Sequence, residues 1–418
     1  MRIGIQASPR PAEDGGGFTY EDELFSGLIH NLNSSKHTFF VFSQKLPPAN
    51  MKEYKNLYWV QVRWVFLKHL FASFRKFVNR ILNTVFHLPS IFNNEHWIDE
   101  YLLRHRIEFY VNLSPETATS RVPYLVIVWD LLHREYPYFP EIHVGGRWAR
   151  WEAKFSDLLR RAAIVCVSSY TLKSDITKYY QVSEELIRLL PFSTPQFALI
   201  AGKNATCNSD QPRGGVRPYL FYPANFHAHK NHVTVLQALQ LLRDKHGLVF
   251  DLWLSGWDTG NLQYVQSIVE RYGLQDQVYF LGYVPRESLV QAYLGAFALV
   301  FASLLGPTNL PPLEAFALGC PVIASNIPGA KEQFDEAALF FPPLDAGVLS
   351  EMILRLRDEV GLREEMVRRG DVRARQFTND NIAQSIFAFL DEFEPIRRCW
   401  GNDNKYRKRL NLRRLFGL

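Results

Sequence analysis

Cysteine is scarce in this 418-residue chain, and the four that occur, Cys166, Cys207, Cys320 and Cys399, show neither paired metal-ligand spacing nor a small disulfide framework. That scarcity excludes a disulfide-stapled miniature fold and points to a reducing compartment. A long apolar span is also missing. The opening run Arg2-Ile-Gly-Ile-Gln-Ala7 is too short for the apolar core of a secretion signal, so a cytoplasmic protein is expected. Ser288–Leu313 carries no charge, but Gly306-Pro307 and Pro311-Pro312 break it, which excludes a spanning helix there. No internal repeat of solenoid period is present.

Acidic residues are absent from Tyr54–Asn94, which holds six basic residues among large apolar ones such as Trp64, Phe66, Phe71, Phe74 and Ile81. Their three- and four-residue spacing fits an amphipathic helix lying in a lipid headgroup layer, or an ordinary helix with one face in the core. The formal charge is +5, from 47 basic and 42 acidic residues, and the tail Arg397–Leu418 alone holds eight basic residues against Asp403. Without the tail the balance is 39 against 41, so the body is close to neutral. A basic tail on a neutral body predicts contact with an anionic surface, membrane or nucleic acid, at one place, and the neutral body with no recognised nucleic-acid module argues against a nucleic-acid partner.

Short apolar runs alternate with helical patterns. Strands are expected at Arg2–Ala7, Thr38–Ser43, Tyr58–Arg63, Glu108–Leu113, Tyr124–Trp129 and Ile164–Ser168, then at Tyr219–Tyr222, Phe250–Ser255, Val278–Leu281, Leu299–Ala302 and Val322–Ala324. Helices are expected at Tyr20–Asn31, around Arg147–Arg161 and from Val233, Leu262 and Ser288. The polar, glycine-rich stretch 202–217 separates the two series and reads as a linker. The syntax is that of two doubly wound α/β domains with parallel sheets, 1–201 and 218–395, followed by the basic tail 396–418. Ligands of such sheets bind at the carboxyl ends of the strands, so the expected site is a cleft between the domains.

Four motifs carry candidate chemistry. In Gly306-Pro-Thr-Asn-Leu-Pro-Pro-Leu-Glu-Ala-Phe-Ala-Leu-Gly319, Asn309 is placed to cap a helix that Pro311 and Pro312 open. Its free amides suit a phosphate, and Glu314 beside them suits a ribose diol. In Phe221-Tyr-Pro-Ala-Asn-Phe-His-Ala-His-Lys-Asn-His232, Lys230 stands at a strand-to-helix turn, where it can neutralise a diphosphate. No carboxylate or cysteine accompanies His227, His229 and His232 in that motif, so no metal site is expected. In Val128-Trp-Asp-Leu-Leu-His133, Asp130 and His133 emerge at the end of an apolar strand, where an open sheet places chemistry. Glu13-Asp-Gly-Gly-Gly17 forms a glycine turn before a helix from about Thr19, letting backbone approach a sugar or phosphate. Each motif also has a plain structural alternative: a capped helix, a surface lysine, an aspartate capping the next helix, a tight turn.

The first two motifs resemble the donor half of the GT-B glycosyltransferases of glycosyltransferase family 4. That family usually reads E-G-F-G-L-P-x-L-E-A-x-A-x-G-x-P-V where this chain has L-G-P-T-N-L-P-P-L-E-A-F-A-L-G-C-P-V, and G-R-x-x-x-x-K-G where this chain ends on Lys230. The resemblance implies that Glu314 binds the ribose hydroxyls, and that Lys230 with the amides around Asn309 and Leu310 holds the diphosphate. It implies too that the backbone of Tyr283 and Val284 touches the base, and that Gly16 and Gly17 face the acceptor side. Asp130 and His133 would orient the acceptor hydroxyl or the sugar. Two departures stand out: Gly306 replaces the first family glutamate, and Asn225 replaces the arginine. Thr308 and Asn309 are then left to recognise the sugar.

The resemblance implies a retaining sugar transferase using a nucleoside diphosphate sugar as donor and a glycan or lipid-linked precursor as acceptor, at the inner membrane face. No cofactor is implied, and the lack of a persuasive D-x-D motif predicts metal-independent transfer. A nucleotide-sugar epimerase and a non-catalytic nucleotide-sugar-binding subunit remain open alternatives.

Overall fold

The computed structural model describes residues 1–6, 16–44, 46–47, 53–62, 98–115, 121–204, 217–306 and 309–401. Thr308, the basic apolar stretch from 63 to 94, most of the linker, and the tail from 402 lie outside the described residues.

Apolar runs such as Tyr-Leu-Val-Ile-Val at 124–128 and Ala-Leu-Val-Phe at 298–301 are buried along their whole length, as parallel strands covered on both faces must be. The first sheet comprises β1 (Arg2–Gln6), β2 (Thr38–Ser43), β3 (Leu57–Gln61), β4 (Phe109–Asn112), β5 (Tyr124–Val128), β6 (Ile164–Val167) and β7 (Ile187–Leu189). Its order is β3-β2-β1-β4-β5-β6-β7, with every pair parallel. The second sheet comprises β8 (Tyr219–Pro223), β9 (Asp251–Ser255), β10 (Val278–Gly282), β11 (Ala298–Phe301), β12 (Val322–Ser325) and β13 (Ala338–Phe341). Its order, β10-β9-β8-β11-β12-β13, is again wholly parallel. Strand order reverses direction between β1 and β4 and between β8 and β11, which opens a crevice at the carboxyl ends of each sheet.

Three features differ from the sequence reading. The first helix starts at Gly16, earlier than Thr19, and runs to His30. The helix Gln196–Asn204 continues into the stretch read as linker, and Gly202 lies so close to Ala317 that a Cβ would sit 1.9 Å from its carbonyl oxygen. The last helix, Asn379–Arg397, lies against the N-terminal domain, although residues 218–395 read as one C-terminal unit. The reason is its apolar face: Phe387 and Phe393 meet Phe39 and Phe109 of the first sheet at 5.6 and 4.8 Å between ring centroids. Glu394 adds an ion pair to the Met1 ammonium at 3.3 Å. The chain thus crosses between domains twice, and the crossings are joined where Thr194 donates from its amide to the Phe377 carbonyl and from its hydroxyl to that of Ala374.

Candidate functional site

A cleft of about 550 Å³ lies between the domains, lined by residues that follow β5, β8, β9, β10 and β11 and by the start of the helix Leu310–Ala317. It collects Gly17 and Asp130 from one side, and Asn225, Lys230, Tyr283, Val284, Asn309, Leu310 and Glu314 from the other. His133 is not among its described lining residues.

Glu314 lies in the second turn of its helix, with 7% of its surface exposed. The buried Tyr293 hydroxyl donates to its Oε2 at 2.7 Å, leaving the other carboxylate oxygen for a ligand hydroxyl. Burial pushes the carboxyl up to about 7, against the opposing pull of the Tyr293 hydrogen bond. The helix start itself offers less than its syntax suggests. A helix leaves its first amides unbonded, but Pro311 and Pro312 have none. The Asn309 amide donates to Gln333 Oε1 at 2.8 Å, and Gln333 Nε2 returns a bond to the Asn309 carbonyl. Leu310 N–H is what remains of the first turn for a phosphate. Asn309 does not cap with its side chain, which donates instead to the Gly306 carbonyl at 3.0 Å. Gly306 has φ +98°, a conformation that disfavours the glutamate found there in the resembling family.

Positive charge comes from Lys230. Its ammonium sits 5.4 Å from the Phe301 ring centroid and has no ion pair among the described residues. Burial lowers it to about 8, opposed by the nearby Asp130 and Glu141 carboxylates. A desolvated, unpaired ammonium lining a cleft is costly unless an anion joins it. Asn225 cannot supply a second charge. Its Oδ1 accepts from the Trp257 amide at 2.9 Å, tying the loops after β8 and β9 together. The fit needs Gly256, since a Cβ there would come within 2.4 Å of the Ala224 carbonyl oxygen. Trp257 stacks on Tyr283 at 5.5 Å and 17°, making a half-exposed aromatic platform on the same wall.

On the acceptor side the two residues of the Asp-x-x-His motif part company. Asp130 lines the cleft, accepts from the Leu132 amide at 3.2 Å, and has its carboxyl raised by burial. His133 turns into the domain. Its Nε2 meets the Tyr180 hydroxyl at 2.9 Å and Glu152 at 3.4 Å, and its ring stacks on Phe155 at 5.1 Å. Burial lowers it to about 4, so the expected role in orienting an acceptor is replaced by a packing role.

Three contributors were absent from the sequence reading. Tyr293 holds Glu314. Arg286, the one guanidinium among the described lining residues, lies 5.0 Å from the Phe197 ring and near enough to act on the Glu314 charge. Glu141, in the short helix Pro140–His143 that follows the Asp130 motif, reaches across to His229. Arg286 and Glu141 follow the expected strand and motif ends by a few residues, a signal that could have found them. Tyr293 lies mid-helix and offers none.

Residues 209–373 match the family described as glycosyl transferases group 1. Among curated relatives, the O-antigen chain mannosyltransferase B of Escherichia coli is 30% identical over 265 residues, covering 60% of this chain and 66% of that protein. The O-antigen chain mannosyltransferase RfbU of Salmonella typhimurium is 27% identical over 208 residues, covering 50% of this chain and 54% of that protein. The chain therefore spans about two thirds of the first relative and about half of the second. Among solved structures, a sucrose-phosphate synthase from Thermosynechococcus elongatus matches with TM-score 0.65 at 19% identity, over 94% of this chain and 99% of that one. A glycosyltransferase from Rickettsia africae matches with TM-score 0.61 at 14% identity, over 94% and 98%. The chain has the two-domain GT-B fold, and the part of it that matches the glycosyl transferases group 1 family lies in the C-terminal half.

Proposed function

We propose that this protein moves a hexosyl or deoxyhexosyl unit from a nucleoside diphosphate sugar to a lipid-linked or surface-polysaccharide precursor, with retention at the anomeric carbon. The observation that carries the reading is the pairing, on one wall of the cleft, of a buried carboxylate with an oxygen left for a diol and a half-buried lysine with no ion pair among the described residues. The mannosyltransferase names of the curated relatives make mannose the first donor sugar to test.

Glu314 would accept from the ribose hydroxyls and fix the nucleotide, with the base against the Trp257–Tyr283 wall. Lys230 and the Leu310 amide would face the diphosphate. As the glycosidic carbon–oxygen bond breaks, negative charge grows on the diphosphate. A preplaced ammonium in a desolvated cleft stabilises that charge most when it is greatest. The acceptor hydroxyl attacks from the face the diphosphate is leaving, and its proton passes to the departing phosphate oxygen. Asp130, across the cleft, would hold the sugar or the acceptor. The leaving group's charge is met here by Lys230 rather than by an obligatory metal ion. No described helix is long and apolar enough to cross a membrane, so a lipid-linked acceptor would be met at the membrane surface.

The test is nucleotide release with and without acceptor. Release that requires a lipid-linked glycan acceptor supports transfer. Conversion of the donor sugar without net release would replace the reading with epimerisation. Tight binding with neither outcome would make the chain a binding subunit.

A further inference from the structure

The histidines after β8 acquire a carboxylate that their own motif lacks. Glu141, in the short helix Pro140–His143 of the N-terminal domain, meets His227 and His229 of the C-terminal domain, and one ligand atom from each lies within 4.8 Å of the other two. Glu141 Oε1 accepts from the His229 amide at 3.0 Å and contacts Nδ1 of the same residue. The His227 ring stacks on that of His229 at 5.2 Å and 18°. His227 Nδ1 is buried with no hydrogen-bond partner among the described residues. A buried ring nitrogen left bare is uncommon and asks for a ligand.

We propose that Glu141, His227 and His229 bind one divalent transition-metal ion that ties the two domains together at the edge of the cleft. Two imidazoles and a carboxylate are the donor set of zinc, cobalt and nickel sites, whereas magnesium and calcium favour oxygen alone. Three protein ligands leave a further position for water or an anionic oxygen. His227 and His229 both line the cleft, so that position belongs to the same space as Lys230. The second His–carboxylate group among the described residues, His37 with Asp391 and Glu394, is already met by the Met1 ammonium and by Lys36 at 3.1 and 3.2 Å. Those ammonium groups bond the cluster's own ligand atoms directly, which disfavours a cation there. The proposal stands on the cluster's own geometry and does not need the transfer reading.

The experiment is titration of the full chain with Co(II), followed by visible absorption and by equilibrium dialysis for stoichiometry. His227→Ala and Glu141→Gln are titrated in parallel. The expected result is one ion per chain with ligand-field bands of low coordination number, displaced by Zn(II) and not by excess Mg(II). Each variant should weaken binding by roughly tenfold or more. His227→Ala is the cleaner variant because Nδ1 has no protein partner to lose. Its metal-free unfolding should remain a single cooperative transition, lowered only by the lost ring stack on His229. In solution scattering, the ion should narrow the spread of interdomain distances in the wild type and leave His227→Ala unchanged. Absent Co(II) binding, or binding undiminished in His227→Ala, overturns the proposal. Nucleotide binding measured on the same samples reports separately on Glu314, so failure of the metal site and failure of the donor site are told apart.

Discussion

Burial sets the two charged groups of the cleft against each other in a narrow pH window. The Glu314 carboxyl rises from 4.5 to about 7, and the Lys230 ammonium falls from 10.5 to about 8. Folding makes Glu314 take up a proton between pH 4.5 and about 7. Its contribution to stability is therefore present at low pH and lost as pH rises through about 7, at a cost on the order of 3 kcal/mol once the carboxylate is ionised. Glu314→Gln should then raise the unfolding temperature of the ligand-free protein at pH 8 more than at pH 5.5, as calorimetry would show. The same substitution should weaken nucleotide binding at both. Lys230 likewise resists its charge when buried, so its attraction for a diphosphate fades as pH rises past about 8. Nucleotide affinity should peak between about 7 and 8, and calorimetric titration across pH 5.5–9.5 measures the limbs. Lys230→Met should flatten the alkaline limb and lower kcat by roughly a hundredfold or more, because it removes a donor aimed at developing charge. Tyr293→Phe should leave the fold intact and shift the acid limb upward, since the hydrogen bond it loses favours the ionised carboxylate.

At the scale of elements, long parallel strands are legible because both faces are buried and the sequence reads as unbroken apolar runs. β2 coincides with its expected span, and β5 and β6 end one residue short of theirs. The strands that escaped, β7 and β13, lie at sheet edges and are only three and four residues long, and Arg188 interrupts the first. Helix syntax at 309–319 located the helix correctly. It did not reveal that Gln333, from another segment, occupies the Asn309 amide, because nothing local encodes that contact. His133 shows the same limit. Position after a strand predicts a cleft residue, while its contacts with Tyr180 and Glu152 come from elements further along the chain. The terminal helix Asn379–Arg397 has an apolar face, but its sequence does not say which domain covers it. Phe387→Ala, which removes a buried ring packed on Phe39, should cost about 3–5 kcal/mol in denaturant unfolding. The loss should appear in the transition of the N-terminal domain, although the residue lies late in the chain.

The whole molecule is two sheets joined by two adjacent crossings, near Thr194 and near Phe377, with further contacts across the cleft. One is Glu332, whose carboxylate accepts from the Tyr170 and Thr171 amides at 2.6 and 3.0 Å and from the Thr171 hydroxyl at 2.6 Å. A carboxylate at a helix start is favoured by the helix dipole and by the unbonded amides. This one belongs to the opposite domain, so it ties the two domains together. Glu332→Ala should widen the particle in solution scattering without nucleotide, with little change in secondary structure by circular dichroism. The paired crossings are where such an opening would hinge, and donor and acceptor would enter by the widened cleft.

The proposed transfer depends on one site, where Glu314 and Lys230 together would hold a nucleoside diphosphate sugar. The direct measurement is thermal unfolding of the wild type, Glu314→Gln and Lys230→Met with UDP, GDP, dTDP and their mannose- or glucose-bearing forms. The prediction is that one base stabilises the wild type, that its sugar-bearing form does so at least as well, and that both variants lose most of the shift. Stabilisation of all three proteins alike, or of none by any nucleotide, would contradict the donor site described here.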